Sequence, residues 1–60
     1  MTREEKIDII DDCRESIVLI RAVIALIQAR GDDEGVLKMT AAAANMATIG
    51  SFFLADLNND

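Results

Sequence analysis

From Ile17 to Ile27 the chain reads IVLIRAVIALI, with Arg21 as its only polar member. A helix on the surface of a globular protein keeps one side wet and confines its apolar residues to a stripe about 100° wide. This stretch has no wet side. Whatever fold it joins must cover it on more than one flank, and the rest of the sequence reads as an arrangement for doing so.

The pattern around the run is helical. Ile10, Cys13, Ile17, Ile20, Ile24 and Ile27 alternate steps of three and four, which places their side chains on one face as a heptad seam. Leu19, Val23 and Leu26 form a second row beside it, and Ala22, Ala25 and Ala29 keep the remaining surface slim. Thr2 followed by Glu5 matches a capping box. Glu4, Glu5 and Asp8 suit the positive end of a helix dipole. The first helix is therefore expected over about 3–30, with Gly31 taking the left-handed conformation that closes it. The cluster Gly31-Asp32-Asp33-Glu34-Gly35 is the only turn signal. It predicts a turn over 31–33, Asp32 or Asp33 as the N-cap of a second helix, and Glu34 in that helix's first turn. Helix 2, expected over about 34–57, carries Val36, Met39, Ala43, Met46, Gly50, Phe53 and Leu57 at the same spacing, and Asn58, Asn59 and Asp60 are expected to fray. Its centre is small, with Ala41 to Ala44, Ala47 and Gly50. Small residues facing bulky isoleucines are a device of well-packed cores, and we take close packing as the reason for Gly50. So short a turn makes the helices antiparallel neighbours. The expectation is one all-α domain over 1–60, an antiparallel αα-hairpin.

A chain of 60 residues buries only about 60% of its unfolded surface and is marginally stable alone. The supports available to small folds are disulfides, metals and partner chains. A single cysteine excludes a disulfide within the chain, and no histidine is present to ligate zinc. A partner chain is the support left, and a second copy is its simplest form. Two hairpins make four helices around one apolar centre, so we expect a homodimeric four-helix bundle. Its dimer core is assigned to Ile10, Cys13, Ile17, Ile20, Ile24, Ile27, Ala43, Met46, Gly50 and Phe53.

The net charge of −5 argues against a phosphate backbone or an anionic membrane as main partner. Met39 to Ala55 holds no charged residue and approaches the roughly 17 residues of a membrane span. Thr40, Asn45, Thr48, Gly50 and Ser51 interrupt it, and we expect no span. The first sixteen residues are highly charged and have no apolar signal region. With a lone cysteine, that predicts a cytoplasmic protein. Met1 and the polar C-terminus suggest a complete product rather than an oligomerisation module cut from a longer chain.

The chemistry-bearing residues are few. Glu4, Asp8, Asp11 and Glu15 form an acidic row at helical spacing with Asp12 beside it. Without histidine this is no carboxylate di-metal site, and we read it as a solvated face that Lys6 and Arg14 partly neutralise. Asp32, Asp33 and Glu34 lack the twelve-residue spacing of a calcium loop. Cys13 lies on the seam and reads as a small hydrophobe. Ser16 and Ser51 have no base at a useful spacing, and no glycine-rich phosphate loop occurs. We therefore expect no catalytic residue, metal or cofactor. Three residues stand out as candidate partner contacts. Arg21 interrupts the apolar run, and Ile49 and Phe52, with Asn45 and Asp56 flanking them at helical spacing, form an off-seam row on helix 2. Exposed apolar rows mark partner sites, and Phe52 is the first candidate for an anchor.

The opening Met-Thr-Arg-Glu-Glu-Lys, the length and the hairpin layout resemble the plasmid-encoded Rop proteins. That resemblance implies a dimeric four-helix bundle and an RNA-binding regulator, with basic, polar and aromatic residues of helix 1 on the RNA. The face in question here carries Asp8, Asp11 and Glu15, and helix 1 has no aromatic. The chain also resembles small phage or bacterial helical-hairpin proteins that bind and inhibit a host protein. The function expected is a non-enzymatic dimeric interaction module, a regulator or inhibitor docking on another protein. The alternatives are a Rop-like RNA regulator and an acidic nucleic-acid mimic.

Overall fold

Thr2 sets where the chain becomes helical. Its hydroxyl accepts from the Glu5 backbone N–H at 3.1 Å, and its own N–H donates to Glu5 Oε1 at 3.0 Å, closing a capping box. From there α1 runs over Arg3–Ala29 and α2 over Asp33–Asn58. The computed structural model describes residues 1–59; of the three C-terminal residues expected to fray, Asp60 lies outside the described residues. Asn58 instead completes α2, and Asn59 caps it with its N–H directed at the last carbonyls.

Hydrogen bonding to Thr2, through its backbone N–H first and its hydroxyl second, holds the Glu5 carboxyl below the ordinary glutamate range. A carboxyl whose folded pKa is depressed contributes stability that is present above its unfolded pKa and is lost as pH falls through its folded pKa. The thermal midpoint should therefore fall as pH drops below the ordinary glutamate value. Glu5→Gln keeps the bond without titrating, so it should flatten that part of the curve. Superimposable wild-type and variant curves would remove Glu5 from the acid transition.

The connection is tight because each residue in it has a defined bond. Arg30 is the C-cap of α1. Gly31, at φ +76°, sends its N–H to the Gln28 carbonyl at 3.0 Å, and Asp32 sends its N–H to Ile27 at 3.1 Å. That paired pattern needs a left-handed residue, which glycine adopts without a Cβ clash. Asp32 then caps α2, its carboxylate accepting from the Gly35 N–H at 2.9 Å. Asp33, expected in the turn, is the first residue of α2, because capping by Asp32 starts the helix one residue sooner. A Cβ on Gly35 would collide with the capping carboxylate, so the glycine lets the cap close down.

The helices pack antiparallel along their seams. Cys13 lies against Gly50, and Lys6 reaches Asp56. On heptad spacing this register sets Ile17, Ile20, Ile24 and Ile27 level with Met46, Ala43, Met39 and Val36. Thr40 and Thr48 return their hydroxyls to the carbonyls of Val36 and Ala44, so neither leaves an unsatisfied group inside α2. The result is a rod of 45 × 14 × 13 Å with a radius of gyration of 13.9 Å, against about 10 Å for a compact chain of this length. Among the described residues, no helix is long and apolar enough to cross a membrane.

Candidate interaction surface

Burial along the seam is uneven. Ile10 and Cys13 are the buried apolar residues, at 7% and 6% exposure. Ile17, Ile20, Ile24 and Ile27 on α1, and Val36, Met39, Ala43, Met46, Gly50 and Phe53 on α2, are only half-buried. The residues assigned from sequence to a dimer core thus line the contact between the two helices of one chain, and most of them still show an open flank.

That flank is a groove along one face of the hairpin. A stretch of about 350 Å³ is lined by Ile17, Arg21, Ile24, Thr40, Ala43, Ala44 and Ala47. It shares Ile17 and Ala47 with a narrower stretch of about 160 Å³, which continues past Arg14, Met46, Gly50 and Ser51 toward Leu54. The floor is apolar. Arg14 and Arg21, one heptad apart, stand along it, and neither makes an ion pair among the described residues. The groove therefore suits apolar side chains and tolerates polar or anionic groups at its edge.

Arg21 lies about 60° to one side of Ile24 around α1, and Val23 about 100° to the other. The same arithmetic on α2 puts Ala47 on the groove side and Ile49 on the far side. The three candidate contacts are thus divided between two faces, Arg21 in the groove and Ile49 with Phe52 opposite. The far face is also apolar, with Leu19 67%, Leu26 65% and Phe52 69% exposed, and Val23 and Ile49 near 40%. Phe52 packs edge-on against Phe53 with ring centres 5.6 Å apart, which ties the exposed ring to a half-buried seam residue.

Cys13 is buried against Gly50, and burial favours its reading as a packing residue. The acidic row Glu4, Asp8, Asp11 and Glu15 is exposed as expected. Lys6 corrects the expectation. It does not neutralise that row from solvent but is buried at 9% exposure, with Nζ 3.0 Å from Asp56 of α2. The signal was present, since Lys6 stands four residues before Ile10 and so on the seam itself.

Gly50 also lies on the seam, against Cys13. A Cβ there would meet the Cys13 Cβ at 3.4 Å, an ordinary contact, so packing within the hairpin does not demand glycine. For the hairpin taken alone, Gly50→Ala should be stabilising by up to about 1 kcal/mol through helix propensity, raising the thermal midpoint by roughly 4–8 °C. A lowered midpoint would show that something beyond this chain approaches the position.

No protein-family model, no curated protein and no solved structure matches this chain.

Proposed function

We propose that the chain is a non-enzymatic interaction module that works as a homodimer and regulates or inhibits another protein by docking on it. The observation that supports this is the half-open seam. The hairpin exposes 4519 Å², about 700 Å² more than the roughly 3,800 Å² of a compact monomer of its mass. The apolar part of that excess costs about 25 cal/mol per Å² to leave in water. A second copy relieves that cost on one face and leaves the other for a partner.

Sedimentation equilibrium tests the first half of the reading. A mass twice the 6.5 kDa of the chain, with a thermal midpoint that rises with protein concentration, is the expected result. A compact monomer at micromolar concentration that melts cooperatively would refute it. For the second half, Phe52→Asp should keep the wild-type mass and lose proteins that wild type retains from a lysate. Equal recovery by both would dismiss Phe52 as anchor.

A further inference from the structure

We propose that the second copy seats on the grooved face, α1 of each chain lying over α2 of the other, with the two-fold axis parallel to the helices and both turns at one end. This rests on the homodimer reading above and specifies its interface. Three observations on the hairpin support it.

The first is area. The surface exposed beyond that of a compact monomer, about 700 Å², approaches the roughly 800 Å² that each partner contributes to a standard stable interface. The second is an asymmetry in how the seam is flanked. On α1 the far-side residues Ile9 and Ser16 are half-buried by the α1–α2 contact, whereas Arg14 and Arg21 on the groove side are exposed; on α2 each side has one half-buried residue, Ala42 and Ala43, and exposed ones beyond it. α1 is turned so that the shared apolar centre opens toward the groove, as a bundle needs if two more helices are to close it.

The third is shape. On this face α1 presents the ridge Ile10, Ile17 and Ile24, while α2 presents Ala43, Ala47 and Gly50. An axis parallel to the helices keeps each residue at its own level, so Ile17 falls over the partner's Met46 and Ala47, Ile24 beside its Thr40 and Ala43, and Ile10 between its Gly50 and Leu54. It also sends the two copies' arginines to diagonally opposite helices. An axis across the helices would set Arg21 level with the partner's Asp11, since Ser16 is the midpoint of α1. That arrangement also stacks ridge on ridge and faces alanine with alanine. An exposed ion pair is worth little, and it does not offset a poorly filled centre.

The test combines mass with distance. Ala47→Glu, at an exposed site in the groove, should raise the dimer dissociation constant at least about 100-fold, because it forces a longer side chain between the packed helices and strips water from its carboxylate, a loss that pairing with Arg14 or Arg21 does not repay. Leu26→Glu on the far face should change it by less than about 3-fold. Loss of the dimer with Leu26→Glu but not with Ala47→Glu would overturn the choice of face while leaving the homodimer reading intact. Spin labels on Asp33→Cys in a Cys13→Ala background report the axis without disturbing the groove. Turns at one end give a separation under about 30 Å, whereas turns at opposite ends give about 40 Å or more, the length of α1 at about 1.5 Å per residue. The longer distance would overturn the arrangement even if Ala47→Glu failed to fold. A wild-type monomer would overturn this proposal together with the reading it rests on.

Discussion

Ile10→Ala should cost about 3 kcal/mol, against a total that for a chain of this length is on the order of 3–9 kcal/mol. The variant should lose most of its helical circular dichroism at room temperature or melt at a small fraction of the wild-type urea concentration. Ile10 is one of two buried apolar residues among those described, at 7% exposure. Removing its side chain beyond Cβ leaves a void in the most buried part of the α1–α2 contact, and neighbours on two stiff helices collapse into it only in part. Leu19→Ala removes a chain of the same size from a site 67% exposed, and should cost less than about 0.5 kcal/mol. The contrast also reads the assembly. Ile24 is half-buried in one hairpin, so Ile24→Ala should fall between the two unless the groove is covered, when its cost approaches that of Ile10→Ala. If Leu19→Ala proved as damaging as Ile10→Ala, the far face rather than the groove would be the buried one.

What the sequence made legible was local or periodic. The capping box at Thr2 and Glu5, the left-handed Gly31 and the Asp32 cap involve residues within a few positions of one another, where residue type and spacing nearly determine the bonds. The seam was legible because steps of three and four put side chains on one face whatever they later touch. The rotation of each helix about its own axis was not. It decides that Arg21 lines the groove while Ile49 and Phe52 look away from it, and it follows from how bulky α1 residues settle against small α2 residues along the whole contact. Gly50 was ambiguous for a related reason. A glycine inside a helix suggests close approach, but only the spacing of the two backbones shows that a methyl group fits beside Cys13. Lys6 was obscured by its residue type, since lysine among glutamates and aspartates reads as solvated charge even where the heptad register places it inside.

Lys6 leads to the second large effect, an asymmetry between the two halves of one ion pair. The Lys6 side chain is 11% exposed and the Asp56 side chain 51%. Asp56→Ala takes away the carboxylate 3.0 Å from an ammonium that stays largely desolvated and keeps only its remaining interactions. Breaking a buried pair this way costs about 3–5 kcal/mol, and the exposure of Asp56 brings the expectation down to about 1–2 kcal/mol. Lys6→Met removes the charge itself and puts an apolar chain of similar length on the seam, four residues before Ile10. Replacing buried ions by well-packed apolar groups is often neutral or stabilising, so this variant should match wild type or exceed it by about 1 kcal/mol. The double variant should lie close to Lys6→Met alone, because without the ammonium the carboxylate has no charge here to compensate. Urea denaturation of the three variants at one protein concentration measures the cycle. If Lys6→Met were the costlier single change, the ammonium would be contributing more to the open end of the hairpin than an apolar chain could, and the seam would be held there by charge rather than by packing.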